Sequence, residues 1–331
     1  MRFRPTTIIW FIVTAPFLTF LLLACGSWWG LLFLFASHIM MLAVTLVPTL
    51  QGFGPVVTRY ATSTRTAWLT IDDGPDPSTT PHVLALLKAF GARATFFLIG
   101  AKAARYPELT RMILEAGHTI GNHTQTHPQF TFWHLDPKTL AKEIDEFEVT
   151  ISSICAPVPL WFRAPAGLKN PFLHPILAAR GLHLIGWNAR AFDTQIDDCA
   201  RIVHRIIGSL KPGSIILFHE SRQPNVCLQA LERLLSKLRD EQFELILPHP
   251  RDLIAGRQTA VQVQPISFFG LRQPAQGNRL NLRPSERHFP DNGSVLCRTR
   301  RSFARSACCY RRSPASRSES GSASDPVKRG V

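Results

Sequence analysis

None of the seven cysteines, Cys25, Cys155, Cys199, Cys227, Cys297, Cys308 and Cys309, stands in a C-x2-C pair. Their scatter and odd number point away from a zinc knuckle and from a disulfide framework. A Walker-type glycine loop is also missing, and with it the phosphate cradle of the nucleotide hydrolases. Acidic residues are scarce near the C-terminus, where residues 257–331 hold 14 lysines and arginines against 4 acids. That segment therefore carries 10 of the 14 net positive charges. It has no hydrophobic periodicity and no aromatic interleaving of the kind that stacks on bases, so its charge does not indicate a nucleic-acid partner. Residues 257–331 read as a basic disordered tail, whose one suggested contact is with anionic lipid head groups.

A polar face is absent from the first 50 residues. Thr7–Ala24 and Trp28–Leu50 are nearly unbroken apolar runs, each of about 20 residues and long enough to cross a bilayer as a helix. The Cys25-Gly26-Ser27 link forms the tip of a helical hairpin, with Trp28 and Trp29 at the interface. Residues 1–59 are thus expected to be a membrane anchor of two transmembrane helices, in contact with membrane lipid. Arg2 and Arg4 before it, and Arg59 and Arg65 after it, put both ends on the cytoplasmic side. The competing reading is a cleaved signal, with a lipoprotein-like site at Leu22–Gly26. The second apolar run argues against it.

From residue 60 to 256 short β-branched or aromatic runs alternate with helical ones. The strands are expected at Ala67–Ile71, Ala94–Ile99, His118–Gly121, Leu160–Phe162, His183–Trp187, Ser214–Phe218 and Phe243–Leu247. Helices are expected near Pro81–Phe90, Pro107–Ala116, Pro137–Ser153, Pro171–Arg180, Cys199–Leu210 and Asn225–Asp240, several opening on proline and several closing near glycine. Strands alternating with helices predict an α/β fold: a distorted seven-stranded (β/α) barrel preceded by two transmembrane helices.

In such a barrel the chemistry sits at the C-terminal ends of the strands. Those ends carry Asp72 and Asp73, then His123 and His127, then Arg163, then Trp187 and Asp193, then His219. Asp-Asp-Gly-Pro alone is equally an ordinary polar turn. Two imidazoles at i and i+4 on a helical turn, together with one carboxylate, make a two-His, one-Asp metal set with open positions for water and substrate. His118 falls at the start of its strand and reads as structural. His82, His134, His174, His183 and His204 show no constellation.

At these motifs the sequence resembles the polysaccharide deacetylases of the NodB-homology fold, from about Trp68 to Leu253. The matching stretches are Thr70-Ile71-Asp72-Asp73-Gly74-Pro75, His123 to His127, Arg163-Ala164-Pro165-Ala166-Gly167, a looser one around Trp187 and Asp193, and Leu217-Phe218-His219. The resemblance implies that Asp72 is the base and that Asp73, His123 and His127 bind a divalent metal ion, zinc first among the candidates. In that scheme Arg163 orients Asp72, the Ala166 N–H and the metal receive the oxyanion, and Trp187 belongs to the substrate surface. His219 protonates the departing amine, and Asp193 raises its pKa. Three positions depart from the family pattern: Ile71 and Thr194 where an aromatic is usual, and Ala166 where Tyr or Trp is common. The metal and acid/base set is intact, while the sugar-contacting surface is altered.

The implied activity is metal-dependent removal of an N-acetyl group from an amino sugar in a polysaccharide, glycolipid or lipid-linked sugar, by a multi-pass protein of the bacterial inner membrane. The same site suits an O-acetyl ester or a formamide, because the metal meets only a carbonyl. The alternative is a non-catalytic sugar-binding membrane protein on a deacetylase scaffold, which the intact Asp72 and His219 oppose. A phosphatase-like hydrolase with Asp72 as nucleophile is weaker still, since the acids are adjacent rather than spaced.

Overall fold

A computed structural model describes residues 7–154, 159–220 and 224–255. The basic segment 257–331 and its expected disorder lie outside the described residues. The chain opens with two apolar helices, α1 (Thr7–Ala24) and α2 (Trp29–Leu46). Gly26, with φ 73°, ends α1 in the left-handed conformation that costs glycine nothing. Ser27 N–H returns to the Leu22 carbonyl at 2.9 Å, and the chain reverses into α2. Phe11 and Phe33 meet edge to face across the hairpin at 5.1 Å. The expected hairpin is present, but among the described residues only α2 of the two expected spans is long and apolar enough to cross a membrane. The apolar stretch Ile8–Ala24 of α1 is shorter.

The remaining elements are β1 (Val57–Tyr60), β2 (Thr66–Asp72), α3 (Thr80–Ala89), β3 (Ala94–Leu98), α4 (Gly100–Arg105), α5 (Pro107–Glu115), β4 (Thr119–Asn122), α6 (Pro137–Ile154) and β5 (Trp161–Phe162). They continue as α7 (Leu173–Arg180), β6 (His183–Leu184), β7 (Ala189–Arg190), α8 (Cys199–Ser209), β8 (Ser214–His219), α9 (Pro224–Asp240), β9 (Glu244–Leu245) and β10 (Leu253–Ala255). The sheet order is β10-β1-β8-β2-β3-β4-β5-β6, with β9 added to β2 and β7 to β8. Neighbours from β8 to β6 in that order are parallel, and β1 runs antiparallel to both β8 and β10. The result is a curled α/β half-barrel. Where the curl comes round, Gly186 N–H reaches the Val57 carbonyl at 2.7 Å.

Each expected strand overlaps an observed one. Three further strands, β1, β7 and β10, were not foreseen: β1 and β7 lack an apolar run, and the apolar run of β10 is only three residues long. β1 begins within the segment assigned to the anchor. Its Arg59 donates to the Pro212 carbonyl at 2.8 Å, and Arg65 donates to the Glu241 carbonyl at 2.9 Å, so both arginines are engaged in the fold.

Alternation along β2 sorts its side chains between two cores. Ala67, Leu69 and Ile71 pack outward with Phe96, Ile216, Phe218 and the apolar faces of α3, α8 and α9. Trp68 points inside the curl with Phe97, Trp161, Ile185 and Ile215. There the Trp68 indole donates to Thr95 Oγ1 at 2.8 Å, which supplies the partner a buried N–H requires. Asp72 shares the parity of Trp68 and Thr70, so the inward row ends in a carboxylate.

Candidate active site

Register brings the motifs side by side. Asp72 pairs with His219 of β8 on one side and Phe97 of β3 on the other. Asn122 pairs with Phe162, so the residues that follow them, His123 and Arg163, leave the sheet together. At the end of β2 the chain turns through Asp73, whose φ of 73° lies in the left-handed region. That turn is what separates the two adjacent carboxylates: Asp72 stays inside and Asp73 swings out over the strand ends.

Asp73, His123 and His127 converge, with their ligand atoms within 4.8 Å of one another. Asp73 Oδ1 lies 3.5 Å from His123 Nε2 and 3.4 Å from His127 Nε2. The histidines do not reach this arrangement on a helical turn, as their spacing suggested. Asn122 Oδ1 accepts the Thr124 N–H at 2.9 Å and Thr124 Oγ1 accepts the His127 N–H at 3.0 Å. These local side-chain bonds replace helical ones, and Thr124 and His127 take φ values of 69° and 56°. The loop is held from outside by the first N–H groups of α4, where Gly100 and Ala101 donate to the carbonyls of Thr124 and Gln125. A Cβ at Gly100 would fall 1.9 Å from Gln125 Oε1, so a larger residue there would require the Gln125 side chain to move.

The donor set suits a cation. His123 Nδ1 donates to the Arg163 carbonyl at 2.8 Å, which leaves the Nε2 lone pair turned toward Asp73. Asp73 Oδ1 is buried without a hydrogen-bond donor. Burial pushes its carboxyl up, but the imidazoles of His123, His219 and His127 outweigh that and hold it well below the usual carboxylate range. Burial, with the charge of His123, lowers His127 to about 4, so its imidazole is neutral and available as a ligand.

Two buried ion pairs flank the cluster. The Arg163 guanidinium bonds Asp72 Oδ1 and Thr70 Oγ1, both at 2.7 Å, and the carbonyls of Ile185 and Gly186 at 3.2 and 3.1 Å. It also lies 4.2 Å over the Phe97 ring. Burial works against its charge, and Asp72 opposes that loss. On the other side Asp193 accepts twice from His219, from the backbone N–H at 2.7 Å and from ring Nδ1 at 2.9 Å. Burial would lower His219, yet Asp193, helped by Asp72 and Asp73, raises it to about 9.

Of the remaining expected residues, Ala166 is exposed on the turn Pro165–Gly167 with φ 52°. Trp187 is buried behind that turn, so close that a Cβ on Gly167 would fall 2.6 Å from its ring. It supports the loop and presents no open stacking surface. His118 accepts the Ala94 N–H at 3.2 Å at the opposite ends of the strands, in keeping with a structural role.

Several residues escaped the sequence reading. Lys102 donates to the Asp73 carbonyl at 2.6 Å, and Asn122 organises the histidine loop. Glu220 is raised by burial to about 7 and accepts from Thr79 and Thr80 at 2.6 Å, beneath the Asp73-Gly74 turn. Arg190 stands 4.3 Å from the Phe192 ring and 5.5 Å from that of Trp187, with its Nε buried and unbonded. Glu220 directly follows His219, and Asn122 directly precedes His123. That adjacency was the available signal.

A family model described as polysaccharide deacetylase matches residues 59–185. The chain is 32% identical over 200 residues to a chitooligosaccharide deacetylase of Bradyrhizobium sp., covering 56% of this chain and 89% of that protein. It is 30% identical over 213 residues to a peptidoglycan-N-acetylglucosamine deacetylase of Bacillus cereus, covering 62% and 95%. Among solved structures, a family 4 carbohydrate esterase from Streptomyces lividans in complex with acetate superposes with a TM-score of 0.53 at 30% identity, over 58% of this chain and 97% of the other. The chain belongs to the polysaccharide deacetylase family, and with it to the hydrolases of carbon–nitrogen bonds other than peptide bonds.

Proposed function

We propose that the protein removes the N-acetyl group from a glucosamine unit of a glycan held at a membrane, using zinc bound by Asp73, His123 and His127. The supporting observation is the convergence of that cluster with the Asp72–Arg163 and Asp193–His219 pairs. The names of the relatives support the choice of N-acetylglucosamine, and α2 supports attachment to a membrane. Two imidazoles and one carboxylate with open positions are the donors catalytic zinc takes. A cation there supplies Lewis acidity toward the acetyl carbonyl and the attacking water.

The rest of the work falls to the chain. Asp72, held by the Arg163 guanidinium at 2.7 Å, accepts the proton of the attacking water. The Ala166 N–H, on the turn that follows Arg163, donates to the developing oxyanion. His219, charged through Asp193, gives its proton to the leaving amine, which departs as a neutral group. We assign residues 1–59 to a membrane-inserted hairpin, 60–256 to the catalytic domain and 257–331 to the tail, with α1 completing the hairpin beside α2.

The test is acetate release by the full chain, zinc-loaded in detergent, from chitotetraose and from an N-acetylglucosaminyl glycolipid. Wild type releases acetate, and Asp72→Asn loses the activity while keeping its zinc. Undiminished release by Asp72→Asn would overturn the mechanism.

A further inference from the structure

The last turn of α2 is bonded to the active-site loop. Lys169 N–H donates to the Thr45 carbonyl at 3.0 Å, and the Lys169 ammonium reaches the Val47 carbonyl just past the helix end. Lys169 is only 1% exposed, and its positive charge sits where a helix C-terminus favours one. Pro48 presses on the same loop: a Cβ on Gly167 would fall 2.7 Å from it. The loop after Arg163 is therefore fastened to the end of the apolar helix. The next residue, Asn170, ties in the loop after His127 by donating to the carbonyls of Phe132 and Leu135 at 3.2 and 2.8 Å.

These two loops carry large rings that remain partly or largely exposed. Phe130 is 84% exposed, Trp133 44% and Phe172 48%. All three lie on loops that follow β4 and β5, the strands whose ends present His123, His127 and Arg163. The length of α2 sets their height. Its 18 residues rise about 27 Å at 1.5 Å each, close to the roughly 30 Å of a hydrocarbon core. A helix that short ends at head-group depth, and whatever is bonded to its last carbonyls sits there too.

We propose that the domain rests on the bilayer with its active-site face down, with Phe130, Trp133 and Phe172 seated among the lipid head groups and Lys169 fixing the loop to α2. Aromatic side chains favour this boundary. The inference rests on the membrane assignment of α2 given above and deepens it, since the hydrolysed amide must then lie at head-group level, as in a lipid-linked acylamino sugar.

The seven tryptophans, Trp10, Trp28, Trp29, Trp68, Trp133, Trp161 and Trp187, allow the two readings to be separated. The full chain is placed in nanodiscs of ordinary or brominated phosphatidylcholine, and Trp133 emission is taken as wild type minus Trp133→Phe. The expected result is strong quenching of Trp133 alongside the hairpin tryptophans. Quenching of the hairpin without Trp133 overturns the docking and leaves the membrane assignment standing, whereas absence of both overturns both. A Trp133 signal indifferent to bromine but shifted by chitotetraose also overturns the docking and makes the rings a glycan platform. A second reading comes from a Phe130→Ser/Trp133→Ser/Phe172→Ser variant. Its kcat/KM on an N-acetylglucosaminyl phospholipid in nanodiscs is expected to fall by roughly tenfold and its activity on chitotetraose to hold. Equal loss on both substrates refutes the proposal.

Discussion

Replacing Asp193 by Asn removes one charge from the pair that sets the proton on His219 and preserves its shape. Asp193 accepts from the His219 backbone and ring at 2.7 and 2.9 Å, and the His219 side chain is 13% exposed. Burial alone would push the imidazole below its ordinary 6.5, but with Asp193, Asp72 and Asp73 around it the value stands at about 9. At 1.36 kcal/mol per pKa unit, that rise corresponds to about 3 kcal/mol favouring the charged ring. At pH 8 a group titrating near 9 is about nine-tenths protonated and one at 6.5 about 3%, so loss of Asp193 depletes the acid by roughly 30-fold. The assay is a pH–rate profile of acetate release from pH 5 to 10. Wild type is expected to hold its rate up to about pH 9, and Asp193→Asn to bend downward below pH 7, with a much smaller loss at pH 6. Stability follows the same sign. Because the folded value is raised, the contribution is fully present below 6.5 and is lost as pH climbs through about 9. An Asp193→Asn profile lowered uniformly, with its alkaline limb unmoved, would refute the argument and leave Asp193 a structural cap.

Three further outcomes follow from the geometry. His123→Ala and His127→Ala each remove one of three convergent donors, so zinc content by mass spectrometry should fall to a minor fraction, and a chelator should abolish wild-type activity until metal is returned. Arg163→Met leaves Asp72 buried without its partner and should cost about 3–5 kcal/mol in denaturant unfolding, together with activity; a loss of activity at unchanged stability would contradict the buried-pair account. Gly213→Ala forces a side chain onto φ 78° with its Cβ 2.1 Å from the Tyr60 carbonyl. It should destabilise by about 2 kcal/mol or more and detach β1 from β8, read by hydrogen exchange at Tyr60.

The strands that carry the chemistry were legible because burial on both faces writes a short apolar run, and such a run ends where the polar site begins. β2, β3 and β8 are of this kind, and their terminal residues follow directly. β1, with Thr58 and Arg59 at its centre, has no such signature. It is a strand only because β8 and β10 lie alongside it, a long-range fact that no local window contains. The histidine loop failed for a different reason. The i, i+4 spacing suits a helix, but Asn122 and Thr124 bond their own neighbours and spend the N–H groups that a helix would need. Convergence on one point survived, because it requires two imidazoles on one side of a loop and not a particular backbone. The spacing was informative about the convergence of the two imidazoles and misleading about the backbone that presents them.

The departures from the family pattern also separate once side-chain parity is known. Ile71 lies one residue from Asp72, so its side chain faces the helices and not the site, in the outer core with Leu69 and Phe218. An aliphatic residue there changes packing volume and leaves the carboxylates where they are. Ala166 and Thr194 are exposed at the rim, Ala166 on the turn that follows Arg163 and Thr194 directly after Asp193. Without rings these positions offer little stacking area, and neither is among Asp72, Asp73, His123, His127 or His219. A substrate delivered by the bilayer has less need of that area, since its lipid already confines it to the surface and raises its local concentration. If the proposed membrane-held substrate is right, the reduced rim and the α2-tethered loop answer to one constraint, and restoring aromatics at Ala166 and Thr194 should improve KM for chitotetraose more than for a membrane-held sugar.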